Sequence, residues 1–323
     1  MRILITGAAG FLGKKLALKL LKEGVLALDG QSPQEITRLV VFDKTQADLP
    51  DDERLKIVKG DIRDGKFMRS LLQPAPDVVF HLAAIVSGEA EKNFDLGMEV
   101  NLHATLQLLE ICRELKAKPV LVFASGGAVF GGEWIETVYD YTAPVPQSSY
   151  GTQKAIAELL INDYSRRGFV NGRVLRLPTV VVRPGKPNAA TSSFASSIIR
   201  EPLQKRRASC PVSRDTKIWI LSPRKVIRNF IHAAQLPAEA FGSSRIVTLP
   251  GLSTSVEEMV MTLEAIAGRE TVELIDWQPD PFIQSIVMTW PVHFVPQRAL
   301  AMGFQKDESI GEVITAFIDE ELA

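Results

Sequence analysis

The chain has 323 residues, 46% of them hydrophobic, and a formal net charge of −1. That length supplies one large domain or two smaller ones with an ample core, and near-neutral charge argues against nucleic acid or an anionic membrane as partner. The two cysteines, Cys112 and Cys210, make neither a disulfide framework nor a zinc site, so a metal-free protein of the reducing cytoplasm is expected.

No apolar run approaches the roughly 20 residues of a membrane span, so no membrane association is expected. The apolar N-terminus runs straight into a glycine turn, which marks it as a strand and not a signal peptide. Arg2-Ile3-Leu4-Ile5-Thr6 is β-branched and suits a strand buried on both faces. Gly7-Ala8-Ala9-Gly10-Phe11-Leu12-Gly13 follows, and Lys14 to Leu21 carries apolar residues at helical spacing. Strand, glycine turn and helix form the context of a dinucleotide-binding turn. Gly7 allows the sharp turn, Gly10 lets the backbone approach a pyrophosphate, and Gly13 seats the helix on the strand. The helix N-terminus offers unpaired N–H groups to the phosphates.

Two runs then compete for the second strand, Val25-Leu26-Ala27-Leu28-Asp29 and Leu39-Val40-Val41-Phe42-Asp43. The acid ending that strand accepts hydrogen bonds from the adenosine ribose and disfavours a 2′-phosphate, which selects NAD. Asp43 is preferred because its run is more β-branched and Asp29 precedes a glycine in a turn-like context. Asp29 lies nearer the usual offset of about 20 residues. Leu55 to Asp64 reads as a third strand with a polar end. Asp77 to Ala84 is a fourth, and its small residues Ala83 and Ala84 permit close approach by a ribose or phosphate. His81, flanked by Phe80 and Leu82 without a ligand-spaced partner, reads as structural.

A helix is expected from Asn93 to Leu115, and Pro119 to Ser125 is the fifth strand, running into Gly126-Gly127. A polar, proline-containing loop leads to Tyr150-Gly151-Thr152-Gln153-Lys154, which opens a helix through Tyr164. Tyr150 and Lys154, four apart, share one helix face. An ammonium beside a phenol favours the phenolate, bringing a group of reference pKa about 10 toward use as a base. Val174 to Val182 is a sixth strand. The texture then changes to mixed Pro, Ser, Arg and Lys, as at the start of a smaller lobe, before Trp219 to Ala234 returns to the main body. Val256–Ala267 and Ile310–Leu322 read as amphipathic helices, and Pro279–Pro296 has no clear assignment.

Gly7/Gly10/Gly13, Asp43, Asp61, His81-Leu82-Ala83-Ala84, Asn101, Tyr150 and Lys154, in that order, resemble the extended short-chain dehydrogenase/reductase family, the NAD-dependent epimerases and dehydratases. The resemblance implies a Rossmann-type α/β fold, a doubly wound parallel sheet with a smaller C-terminal substrate lobe. Residues 1–183, rejoined by 217–236, would form the NAD-binding domain, and 184–323 mainly the lobe. Segments 83–91, 146–158, 176–188, 192–196 and 199–203 are similar to dehydrogenases of this family that act on a short sugar acid. They imply NAD-dependent oxidation of a four-carbon acid at its C2 hydroxyl. The same cofactor half would serve a nucleotide-sugar epimerase or dehydratase.

Site roles follow from the same resemblance. Gly7, Gly10, Phe11, Leu12, Gly13, Asp43, Asp61, Ile62, Leu82, Ala83, Ala84 and Pro178 would bind NAD, with Asp61 against the adenine amine. Asn101, Ser125, Tyr150 and Lys154 would contact it while forming the catalytic set, Asn101 supporting a helix kink and a relay water. The family's catalytic serine or threonine, three residues before Val129, is Gly126 here, and this opens the further reading of a chain impaired in catalysis. Ser125 replaces it only if the backbone at Gly126-Gly127 bends away from strand geometry. Ser87, Gly126, Arg183 and Lys186 would line the substrate site, where a guanidinium fork suits the carboxylate. In the family, helices flanking Asn101 and Tyr150 pair two subunits, which implies a homodimer.

Overall fold

The β-branched runs become strands because helices cover both faces of the sheet they build. The computed structural model describes residues 1–132, 136–185 and 190–322. The strands that position the site are β1 (Arg2–Thr6), β2 (Arg38–Asp43), β3 (Leu55–Lys59), β4 (Val78–His81), β5 (Val120–Gly126), β6 (Asn171–Leu177), β7 (Thr179–Val180), β8 (Lys217–Leu221), β9 (Ile246–Thr248) and β10 (Leu252–Ser255). Seven of them form one sheet in the order β3-β2-β1-β4-β5-β6-β9. Every neighbouring pair in it is parallel. The order reverses between β1 and β4, and the crevice at that switch point is where such sheets bind ligands.

The helices used below are α1 (Phe11–Glu23), α2 (Ala104–Leu115), α3 (Ser149–Arg166), α4 (Ser193–Leu203), α5 (Pro223–Gln235), α6 (Val256–Ala267), α7 (Pro281–Met288) and α8 (Ile310–Glu321). Ile3, Ile5 and Val41 on one sheet face bury Leu16 and Leu20 of α1 and Phe230 of α5. Leu4, Val79 and Leu121 on the other face meet Leu108 of α2 and Ile161 of α3. Each such side chain contributes about 1.5–3 kcal/mol on burial. A separate core, with Ile198, Ile218, Met259 and Val313, unites α4, α6 and α8 with the lobe sheet β7-β8-β10.

The expected sixth strand divides at Pro178. Proline has no N–H to continue a ladder, so β6 ends at Leu177 and β7 pairs with β8 of the lobe. The segment 217–236 is also shared: β8 stays in the lobe sheet, while α5 packs on the main sheet. β9, beyond residue 184, joins the main sheet as an edge strand.

β2 is the run ending in Asp43, and it lies beside β1. Val25–Leu26 instead pairs with Gln34–Glu35 in a small ladder outside the sheet. Asp29, at φ 52°, turns the chain and accepts from Arg173 Nη2 and Ala238 N, each at 2.8 Å. The expected helix 93–115 contains a π-helical segment, Met98–His103, before α2. The unassigned stretch 279–296 supplies α7 and the strand His293–Val295, which pairs with Thr137–Tyr139.

Candidate active site

The carboxyl ends of the central strands open into a cavity of about 1920 Å³ that continues between the main sheet and the lobe. The turn after β1 forms its floor at one end. Gly7 has φ 75°, and a Cβ there would stand 2.6 Å from Ala83 N. A Cβ on Gly13 would stand 2.4 Å from Gly7 O, so internal packing accounts for both glycines. Gly10 is different. Its φ is −70°, and a Cβ would meet nothing nearer than Gly7 O at 3.3 Å. Gly10 caps α1 without a side-chain bond, and Phe11, Leu12 and Gly13 line the cavity. Open space at Gly10 and unpaired N–H groups at a helix start fit a dinucleotide's pyrophosphate.

Asp43, at the tip of β2, accepts from Ala9 N at 3.1 Å and Thr45 N at 3.0 Å, and lines the cavity beside Lys44. Asp61 is held by Arg63, whose guanidinium forks its carboxylate and keeps its pKa at about 2. Ile62, Leu82, Ala83, Ala84, Ser87 and Pro178 also line the cavity. His81 is fully buried between Thr6 Oγ1 at 2.8 Å and Thr105 Oγ1 at 2.9 Å. Burial, with Lys154 nearby, drives its pKa down to about 3, so it is a neutral structural bridge.

Tyr150 and Lys154 stand on the first turns of α3, whose N-cap Ser148 accepts from Gly151 N at 3.1 Å. Lys154 Nζ donates to Ala124 O at 2.9 Å and lies 4.5 Å from the centre of the Phe123 ring, against 5.6 Å for the Tyr150 ring. Burial lowers its pKa to about 8, opposed by the Glu158 carboxylate. Burial pushes the Tyr150 phenol up to about 12, and the charge that pulls it back is Arg183. Arg183, which follows β7, is thus a cation acting on the phenol in addition to Lys154 on the same helix face. Arg183 is fixed by Nε to Val180 O at 3.0 Å and Nη2 to Ser192 Oγ at 2.8 Å. Its carbonyl accepts from the buried Arg200 Nη1 at 2.7 Å.

One catalytic expectation is corrected. Gly126 keeps regular strand geometry at φ −162°, so Ser125 faces away from its neighbour and donates to Glu158 Oε1 at 2.5 Å. Ser125 borders the cavity, but its hydroxyl is committed to a buried carboxylate and cannot replace the one Gly126 lacks. Asn101 lies behind the cavity wall, in the π-helical segment. Its Oδ1 accepts from Ile85 N at 2.8 Å, and its Nδ2 donates to Ile85 O at 3.1 Å and Gln153 Oε1 at 2.7 Å. With both amide protons used, Asn101 clamps the loop after β4 to α3 from within the π-helical segment that interrupts the expected helix. Lys186 lies outside the described residues.

The outer wall is aromatic and carries no signal of local spacing. Trp219 of β8 stacks on Phe294, ring centres 3.6 Å apart and planes at 11°. A Cβ on Gly127 would stand 3.3 Å from Trp219, which ties that glycine to the indole. Phe282 and Ile286 of α7, Trp290 and Arg63 also line the cavity; they meet there from three separate places in the chain. Among the described residues no helix is long and apolar enough to cross a membrane.

A parallel sheet reversing at β1/β4, a glycine turn under a helix start, and a Tyr–Lys pair facing one crevice define a nicotinamide-dependent oxidoreductase site. The chain belongs to the NAD dependent epimerase/dehydratase family, which it matches over residues 3–237. It is 51% identical to D-erythronate dehydrogenase of Cupriavidus necator over 99% of this chain and 98% of that one. It is 45% identical to D-erythronate dehydrogenase of Haemophilus influenzae over the whole of both. A solved structure titled nucleoside-diphosphate-sugar epimerase, from Agrobacterium tumefaciens, superposes with a TM-score of 0.94 at 40% identity, covering 100% of this chain and 94% of that one.

Proposed function

We propose that this chain is an NAD-dependent dehydrogenase that oxidises D-erythronate at its C2 hydroxyl to 2-oxo-tetronate. The observation that carries the reading is full-length identity of 51% to a D-erythronate dehydrogenase, lobe included. Arg183 in the same cavity as Tyr150 supports it, as a guanidinium placed for the acid's carboxylate.

Bound NAD supplies the hydride acceptor. The residues of this chain handle the proton and the positions. Tyr150, as phenolate, takes the C2 hydroxyl proton as the carbonyl forms. Arg183 favours that phenolate and orients the carboxylate. Lys154 holds the nicotinamide ribose from its perch on Ala124 O. The N–H groups at Phe11, Leu12 and Gly13 take the pyrophosphate, Asp43 the adenosine ribose, and Asp61 and Ile62 the adenine. Ser87 and the open space at Gly126 border the acid. Two buried cysteines suit a cytoplasmic enzyme, and exposed Ile156 and Leu159 on α3 suit pairing of two copies.

The test is NADH formation with C4 to C6 aldonic acids. D-erythronate should give the highest kcat/KM, and failure to oxidise any of them would overturn the reading. The similarity to a structure titled as an epimerase favours one competitor. An epimerase returns the hydride to its substrate, so net NADH release separates the two.

A further inference from the structure

Tyr150, Lys154 and Glu158 succeed one another at four-residue intervals along one face of α3. The reaction uses the first two. Glu158 is only 1% exposed, and its carboxylate is wholly engaged by protein groups. Ser125 Oγ donates to Oε1 at 2.5 Å, Arg176 Nε to both oxygens at 3.0 Å, and Arg176 Nη2 to Oε2 at 2.7 Å. A buried carboxylate needs such donors to offset the water it has lost.

Lys154 and Glu158 dock on consecutive residues of β5. The ammonium rests on Ala124 O and the carboxylate on Ser125 Oγ. The charged and titratable groups around the ammonium come from four places. They are Tyr150 and Glu158 on α3, neutral His81 on β4, Arg176 on β6 behind Glu158, and Arg183 after β7. Within that set Glu158 alone carries negative charge. A buried ammonium that donates to a backbone carbonyl, as Lys154 does to Ala124 O, needs such a neighbour to remain charged.

We propose that Glu158 is a positioning residue whose buried carboxylate keeps Lys154 an ammonium in the active site, with Ser125 and Arg176 holding that carboxylate in place. Ser125 thus serves the site through the back of Lys154 and never meets the substrate. The inference rests on the assignment of Lys154 to the cofactor ribose and not on which acid is oxidised.

Its test reads cofactor binding, by NADH fluorescence titration across pH. Wild-type affinity should weaken as pH rises past about 8, where Lys154 loses its proton. Lys154→Met should abolish that limb. Glu158→Gln should move it down by about one pH unit or more, while Glu158→Asp, which keeps the charge, should leave it near the wild-type position. Glu158→Gln strands a buried Arg176 and can fail to fold. The double variant Glu158→Gln/Arg176→Gln removes both charges; because Arg176 stands behind the carboxylate, the limb should still move down, by less than in Glu158→Gln. A limb at the wild-type pH in the double variant, or no limb in the wild type, overturns the proposal. Failure of the substrate assignment would look different: NADH would bind with the expected profile while no sugar acid was oxidised.

Discussion

Gly126→Ser should raise turnover at least tenfold. At φ −162°, Gly126 has a backbone that any residue adopts. A Cβ there meets nothing nearer than Leu177 O at 3.8 Å, so a serine fits without displacing the sheet. Its hydroxyl would stand at the end of β5, in the cavity that Tyr150 lines. A hydrogen bond made mainly to the developing oxyanion is worth about 2.7–4 kcal/mol, or 10²–10³ in rate. In the proposed reaction Tyr150 contacts the same oxygen and supplies part of that gain, and tenfold corresponds to about 1.4 kcal/mol. Initial rates of NADH formation from D-erythronate, with NAD affinity measured alongside, give the answer. Gly127→Ser is the control, because a Cβ there would press on Trp219 at 3.3 Å, and it should lower activity. Unchanged kcat in a folded Gly126→Ser protein with normal NAD affinity would refute the argument that a donor is missing at this position.

Other expectations follow from the same geometry. Tyr150→Phe should abolish oxidation and leave NAD binding nearly intact, because only the proton acceptor is lost; substantial residual turnover would remove Tyr150 as the base. Asp43→Ala should erode the preference for NAD over NADP, measured as the ratio of kcat/KM values, whereas an unchanged ratio would release Asp43 from the ribose. Ser125→Ala should cost about 1.5–3 kcal/mol in denaturant unfolding, the worth of a hydrogen bond to a charged group, with a smaller effect on kcat than Tyr150→Phe. His81 has a folded pKa of about 3 against an ordinary 6.5, so the unfolded chain binds the extra proton between those values. Stability should therefore fall as pH drops below 6.5, by up to about 1.4 kcal/mol per pH unit from this residue. Replacing His81 with Gln should flatten that slope in pH-dependent unfolding curves, and an identical slope would exclude His81 as its source.

The parts of the site legible from sequence share one property: neighbours along the chain carry their signal. The strand, glycine turn and helix at residues 2–23 lie within one supersecondary unit. The Tyr150/Lys154 pair needs only helical spacing, and the choice of Asp43 over Asp29 needs only local β-branching. What escaped depends on distant partners. Ser125 is turned by Glu158, 33 residues away, and Asn101 is consumed by Ile85 and Gln153 across 16 and 52 residues. Trp219 finds Phe294 through folding alone; Arg183 is expected at the substrate site, but its effect on the Tyr150 phenol is not. The split at Pro178 is masked by the valine- and leucine-rich sequence on both sides of it; the proline itself is the available sign.

That split has a mechanical consequence. Leu177 belongs to the sheet that carries the glycine turn and Thr179 to the sheet beneath the lobe, with one residue between them. The two sheets are thus two flights of a single stair, and Pro178 is the landing. Side chains alternate faces along extended chain, so inserting one residue at this landing would reverse the lobe sheet's inward and outward faces relative to the main sheet. Chimeras that exchange lobes between family members should therefore keep Leu177-Pro178-Thr179 uncut and retain α5 and β9, which pack on the main sheet, from the same parent.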